Sequence, residues 1–261
     1  MTEIAANKAG IIKEKVPVLI NVESEEAKKV LARTAYAKGS PLYDISDSKI
    51  SNLTVSREGT VFDALIKGKR YQNVHLSMAG SHQAQNACLA LATIEMLRKN
   101  GIINVGENAL AQGLQKAGQP GRFEVLQAAG LEDKYFVLDG AHNPEGMEAL
   151  LSTLDDAFYG RKKLAVFGIL ADKSVDNMLF FAEQMADEFM TVTVGNERTL
   201  EGDRLAQKLA QRGNKVTFCE SAAQAVQRAA DKLAGDYEVC LFAGSLYLIS
   251  EIRRLLQNGY I

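Results

Sequence analysis

From residue 123 onward, short apolar runs (FEVLQ, YFVLD, KLAVFGI, FMTVTV, KVTFC and YEVCLFAG) recur along the chain. After YFVLD, the stretches that separate them carry apolar residues at the helical period. The runs are apolar on successive residues, as strands buried on both faces are. The intervening stretches predict helices over 143–157, 174–187, 201–211, 221–234 and 246–257. Together they predict an α/β, doubly wound sheet. Right-handed crossovers put every loop that leaves a strand's carboxyl end on one edge, so DGAH, GILADKS, VGNERT and AGS are expected to form one mouth.

The first part of the chain is less regular. PVLI at 17–20 predicts a short strand, and the following SEEAKKVLARTAYAKG predicts a helix with Ala27, Val30, Leu31, Thr34 and Ala35 on its inner face. NLTVSREGTVFDALIKGKRYQNVHLS alternates apolar and polar residues around Gly59 and Gly68, reading as antiparallel strands appended to a sheet. A helix follows from Ser81 to about Lys99, and then the helix-like GENALAQGLQKAG gives way to the turn QPG. A boundary there divides the chain into domains 1–118 and 119–261.

Composition narrows the function classes. Thirty Lys and Arg against 32 Asp and Glu leave a net charge of −2, so no basic surface for nucleic acid or an anionic membrane is expected. No apolar run approaches the roughly 18–20 residues of a membrane span. The start, MTEIAANKAG, lacks signal-peptide character, and a cytoplasmic protein is expected. Cys88, Cys219 and Cys240 have no CxxC spacing and lie in apolar surroundings, as reduced core thiols do.

The richest segment is FVLDGAHNPEGMEAL, 136–150. Asp139 falls at a strand's carboxyl end, Gly140 allows a tight exit, and Asn143–Pro144 reads as an N-cap with proline at the first helical position. Capping accounts for Asn143 and a turn for Asp139. His142 is left over, and a polar imidazole at a strand mouth points to a site. Elsewhere the chain has no GxxxxGK[ST] or GxGxxG phosphate loop, no HExxH spacing among His75, His82 and His142, and no GxSxG elbow.

Six ordered segments carry a resemblance: EIAANKAGIIK (3–13), GSHQAQNACLALA (80–92), PGRFEVL (120–126), LDGAHNPEGMEAL (138–150), GILADKSVDNML (168–179) and FAGSLYLISEIR (242–253). With them the chain resembles, over essentially its whole length, the C-terminal portion of the folylpolyglutamate synthase family within the Mur-ligase superfamily. The resemblance implies the remainder of a P-loop-type ATPase domain in 1–118 and a Rossmann-like ligase domain in 119–261. The implied reaction moves the γ-phosphoryl group of MgATP onto the terminal glutamate carboxylate of a folate, after which the amine of free L-glutamate attacks the acyl phosphate.

Roles follow by position. Lys8 aligns with a lysine that the family carbamylates, giving a carboxylate-like ligand for Mg²⁺; carbamylation needs a neutral amine, which desolvation favours. Asn86, with Gln83 as its neighbour one helical turn back, aligns with an ATP contact. A buried amide beside Ala87, Cys88 and Leu89 would require such a partner. Arg122 is expected to reach phosphate oxygens, Asp139 to contact ATP, and His142 to orient the incoming glutamate or steady phosphoryl transfer. Lys173, at another strand mouth, is a secondary candidate for an anionic group, since lysines in such loops are mostly solvated.

The family's upstream GTNGKGS-type loop and its magnesium-binding acidic residue and histidine are not in these 261 residues. The chain is therefore expected to be a fragment, inactive alone. Two alternatives stand beside the folate ligase: a cell-wall amino-acid ligase of the same superfamily, and a non-catalytic nucleotide- or glutamate-binding module.

Overall fold

The computed structural model describes residues 2–171 and 174–258; Lys173 lies outside the described residues. The chain divides into two compact units. Met1–Thr54, Thr60–Leu76 and Ser81–Lys116 form unit 1, and Val55–Gly59, Ser77–Gly80 and Ala117–Ile261 form unit 2.

Unit 1 runs α1 (Thr2–Ala9), β1 (Val18–Ile20), α2 (Glu25–Ala37), β2 (Leu42–Asp44), β3 (Lys49–Ser56), β4 (Gly59–Ile66), β5 (Lys69–Leu76), α3 (Ser81–Lys99) and α4 (Glu107–Gln115), the tip of the β3–β4 hairpin grouping with unit 2. Ser24 caps α2 by accepting from the Ala27 amide, and the helix buries Ala27, Leu31 and Ala35. Leu31 and Ala35 join Ala9, Ile12 and Ile20 in a small core. β1 and β2 pair in parallel. The strands β3, β4 and β5 do not extend that pair, as the sequence suggested, but hydrogen-bond as a sheet of three. Local closure explains the difference: Lys67 and Gly68, at φ 45° and 83°, make a two-residue turn of the kind that returns a strand directly onto its predecessor.

Unit 2 runs β6 (Glu124–Gln127), β7 (Tyr135–Leu138), α5 (Pro144–Ala157), β8 (Lys163–Phe167), α6 (Val175–Ala182), β9 (Glu188–Val192), α7 (Gly202–Gln211), β10 (Val216–Cys219), α8 (Ala222–Ala234), β11 (Val239–Ala243) and α9 (Leu246–Gln257). Helix α6 stops at Ala182, five residues before the end the sequence suggested. The sheet order is β10-β9-β8-β11-β7-β6. All neighbours are parallel except β6 and β7. The β6–β7 link holds no helix, and a link that short cannot make a parallel crossover.

Side chains alternate across the sheet between two cores. Phe136, Leu138, Leu164, Val166, Cys240 and Phe242 face α8 and α9, whereas Val137, Ala165, Phe167, Val239 and Leu241 face α5, α6 and α7. β11 lies between β7 and β8, so β7 leads into a helix on one face while its neighbour β11 leads into a helix on the other. Adjacent strands whose helices depart to opposite faces define the crevice where such sheets bind ligands. Cys88, Cys219 and Cys240 are free and buried, and burial pushes the Cys88 thiol up to about 11. Among the described residues no helix is long and apolar enough to cross a membrane.

Glu188 opens β9 with only 4% of its side chain exposed. Lys215 Nζ lies 2.6 Å away and Lys232 Nζ 2.9 Å, and the Tyr237 hydroxyl donates to Oε2 at 2.8 Å. Burial alone would raise this carboxyl, but the three donors overcome it and pull the pKa from 4.5 to about 2. A folded-state pKa below the unfolded one gives stability that is present above pH 4.5 and lost as pH falls toward 2. That contribution is worth about 3 kcal/mol. Glu188→Gln is expected to flatten the pH dependence of the urea midpoint across this window and to lower stability near neutrality, measured by denaturation at a series of pH values.

Candidate functional site

At the switch point, the segment after β7 does several jobs with few atoms. Asn143 accepts from the Gly146 amide at 2.9 Å and caps α5, with Pro144 in the first turn, as the sequence implied. A Cβ on Gly146 would come within 2.7 Å of that cap oxygen, so the cap requires glycine there. Asp139 is part-buried, and both of its carboxylate oxygens are engaged. Oδ1 accepts from the Ala141 amide at 2.7 Å and Oδ2 from the Phe123 amide at 2.8 Å. Burial pushes its carboxyl above the usual carboxylate range, against these two donors and the nearby Arg122 and His142.

His142 is part-buried, with Nδ1 2.7 Å from the Gly140 carbonyl. A carbonyl only accepts, so Nδ1 carries a proton and donates to it, which leaves Nε2 as the ring nitrogen facing away from that bond. Arg122 sits between Gly121 and Phe123, which both have left-handed backbone at φ 73° and 45°. Its guanidinium makes no hydrogen bond or ion pair with another described residue, though its charge is felt by Asp139. Arg122, Asp139 and His142 are thereby brought together in unit 2.

The loop edge expected from the crossover rule is physically tied. Gly244 donates to Ala141 O, Gly168 to Ala243 O, and Leu200 to Ile169 O, which links the exits of β7, β11, β8 and β9 in turn. Ser245, buried at the exit of β11, caps α9 by accepting from the Tyr247 amide.

Lys8, Gln83 and Asn86 belong to unit 1. Lys8 lies on the exposed side of α1, not in the desolvated setting that carbamylation was argued to need. On α3, Gln83 is the buried amide and Asn86 the exposed one, so burial places no demand for a partner on Asn86, whose Nδ2 donates to Gln83 Oε1 at 3.2 Å. The helical phase explains this, because Gln83, Ala84, Ala87, Cys88 and Leu91 form the inner stripe and Asn86 falls outside it. Among the described residues no three His, Cys, Asp or Glu side chains are placed to hold a metal ion.

Comparison with known proteins fits this geometry. The profile described as "Mur ligase middle domain" matches residues 1–94, and "Mur ligase, glutamate ligase domain" matches residues 121–246. The chain belongs to the Mur ligase family. Within that family it is 34% identical over 258 residues to a dihydrofolate synthase/folylpolyglutamate synthase of Bacillus subtilis, covering 98% of this chain and 58% of the relative. The folylpolyglutamate synthase structure from Thermotoga maritima superposes with a TM-score of 0.79 at 30% identity, over 99% of this chain and 58% of that one. The Mycobacterium tuberculosis folylpolyglutamate synthase solved with ADP superposes at 0.84 and 27% identity, over 97% and 58%. This Mur ligase chain thus spans a little under three fifths of the length of the relatives it matches.

Two residues of the site region received no role from the sequence. Glu124 and Arg253 stand in the PGRFEVL and FAGSLYLISEIR segments, and Arg253 Nε donates to both carboxylate oxygens of Glu124, at 2.9 and 3.1 Å. The available signal was a charge at the start of an apolar strand and another on α9.

Glycines at the mouth differ in what they tolerate. At Gly244, φ is +107° and a Cβ would lie 2.7 Å from the Gly168 carbonyl oxygen; at Gly140 the obstacle is the Leu246 side chain, whose Cδ2 would be 2.2 Å away. Leu246 is 47% exposed and can swing aside, whereas a backbone carbonyl cannot. Gly244→Ala is therefore expected to cost about 2–4 kcal/mol and Gly140→Ala about 1 kcal/mol or less, compared by urea denaturation.

Proposed function

We propose that this chain is the nucleotide- and glutamate-handling part of an ATP-dependent amide ligase that extends folates with glutamate through an acyl phosphate. The observation that carries the reading is the grouping of Arg122, Asp139 and His142 at the switch point of a Mur ligase glutamate ligase domain. The uncommitted Arg122 guanidinium offers planar, paired donors to phosphate oxygens. Asp139 fixes the loop that carries Arg122 and keeps lone pairs for a nucleotide contact. For Asn86 and Gln83, on α3 of unit 1, the family resemblance supplies an ATP-contact role considered by itself.

In the proposed reaction a folate glutamate carboxylate oxygen attacks the γ-phosphorus and ADP leaves with the bridging oxygen. The incoming glutamate amine, having lost a proton, then adds to the acyl carbon, and collapse of the tetrahedral species expels phosphate. Charge builds on oxygens throughout, so preorganised donors contribute most of the catalysis. His142, with its proton fixed on Nδ1, can accept from the incoming ammonium through Nε2 and orient it. Mg²⁺ would neutralise the nucleotide's phosphates; Lys8, exposed on α1, lacks the desolvation that carbamylation needs, and no ligand for the ion is assigned within this chain.

The folate branch is favoured over a cell-wall ligase because relatives matched over nearly the whole chain carry folate-enzyme names. A cytoplasmic setting accords with that metabolism. A purely binding module is the outcome if nucleotide binds and chemistry never follows in any longer form.

Calorimetry in magnesium and bicarbonate is expected to detect MgADP binding that Arg122→Ala weakens about tenfold or more, the loss of one charged phosphate contact. Affinity equal to that of the unmodified chain would remove Arg122 from the site. Because these 261 residues hold no GxxxxGK[ST] loop, folate- and ATP-dependent incorporation of labelled glutamate is expected to be at background for this chain alone. Incorporation above background would overturn the expectation that ligation requires such a loop.

A further inference from the structure

The turn Gln119–Phe123 is held more firmly than an exposed turn ordinarily is. Phe123 adopts left-handed backbone at φ 45°, a conformation a non-glycine residue keeps only where its surroundings enforce it. Three bonds flank Arg122. The Phe123 amide donates to Asp139 Oδ2 at 2.8 Å, the Gly140 amide donates to the Gly121 carbonyl at 2.8 Å, and the Gly121 amide donates to Glu124 Oε2 at 2.9 Å. Glu124 does not stand alone: Arg253 on α9 grips both of its oxygens through Nε. Gln257, with its amide oxygen turned toward that guanidinium, accepts from Arg253 Nη1 at 3.1 Å and Nη2 at 3.2 Å. Contact is tight as well, since a Cβ on Gly121 would lie 2.8 Å from Ile249 Cγ2 of the same helix.

We infer that Glu124 and Arg253 are positioning residues for Arg122. Asp139 and the Glu124–Arg253 pair hold the turn from its two ends, leaving the Arg122 guanidinium as the one charged group of the turn with no partner among the described residues. A carboxylate is required at 124 because it must accept from a backbone amide and a guanidinium together. An arginine suits 253 because its fork can reach Glu124 and Gln257 at once, which a lysine's single ammonium cannot do as well. Neither residue need touch the nucleotide; each acts through the direction in which Arg122 is held. The role rests on the reading of Arg122 as a phosphate ligand.

The test uses the 261-residue chain with MgADP as the probe and follows both amide hydrogen exchange and affinity. Arg253→Ala is expected to speed exchange at the Gly121 amide about tenfold, the loss of roughly one charge-assisted bond, while amides in β8 stay unchanged. It is expected to weaken MgADP several-fold, with Arg253→Lys keeping part of both effects and Glu124→Gln, which sets an amide NH2 against the guanidinium, reproducing the loss. In the Arg122→Ala background Arg253→Ala should cause no further loss of affinity, because an interaction that works through Arg122 cannot be lost twice. Additive losses in the double variant, or unchanged Gly121 exchange in Arg253→Ala, would overturn the inference. Absence of MgADP binding by the unmodified chain would overturn the nucleotide reading instead, with the exchange rates still deciding whether the pair holds the turn.

Discussion

The insertion of β11 between β7 and β8 is the constraint on which the rest of unit 2 depends. Parallel pairing on both sides buries β11 completely and accounts for the unbroken apolar run Val239–Ala243. It also forces the connection from β7 to skip a position in the sheet, so that β7 and β11, though neighbours, send their helices to opposite faces. A crevice at that place is a consequence of chain direction and handedness, available before any particular side chain is chosen. Asp139, His142, Gly244 and Ser245 then occupy a location the topology has already made.

Charged groups in this unit serve geometry as much as chemistry. Glu188 closes the amino end of β9 with two lysines and a tyrosine. Asp139 works at the opposite, carboxyl end of β7 by accepting two backbone amides. The contrast lies in what surrounds each carboxylate. Glu188 has two cations within 3 Å and is held well below its ordinary pKa, whereas the nearest donors of Asp139 are neutral N–H groups, which do not offset burial. A carboxylate so placed is costly to bury and worth retaining where the loops it ties together must not drift. The Glu124–Arg253 pair adds a third fixed point from α9, so the turn carrying Arg122 is determined by β6, β7 and α9 together.

Unit 1 is organised by shorter-range rules. Its three-stranded sheet closes on itself through a two-residue turn, and its helices bury narrow stripes of alanine and leucine. Small residues leave little room for error in helical phase. That is why Gln83 and Asn86, three positions apart on α3, end in different environments, a difference their apolar sequence neighbours do not reveal. For Lys8 the same limit holds, since the run NKAGIIK gives no sign of which side of α1 faces the core.

The sequence by itself determined what local chemistry controls. Apolar runs and helical periods set the kinds and order of elements in 123–258, Asn143–Pro144 set the start of α5, and six short segments set the family. Each of these depends on residues within a turn or two of one another. Tertiary structure decided the sheet order, the antiparallel edge strand β6, the self-contained sheet β3–β5, the exposure of Lys8 and Asn86, and the pairing of Glu124 with Arg253 across 129 positions. Periodicity tells which face of a strand or helix is apolar but is blind to which neighbour will cover it. That choice is made only when the whole chain closes and distant groups compete for the same partners.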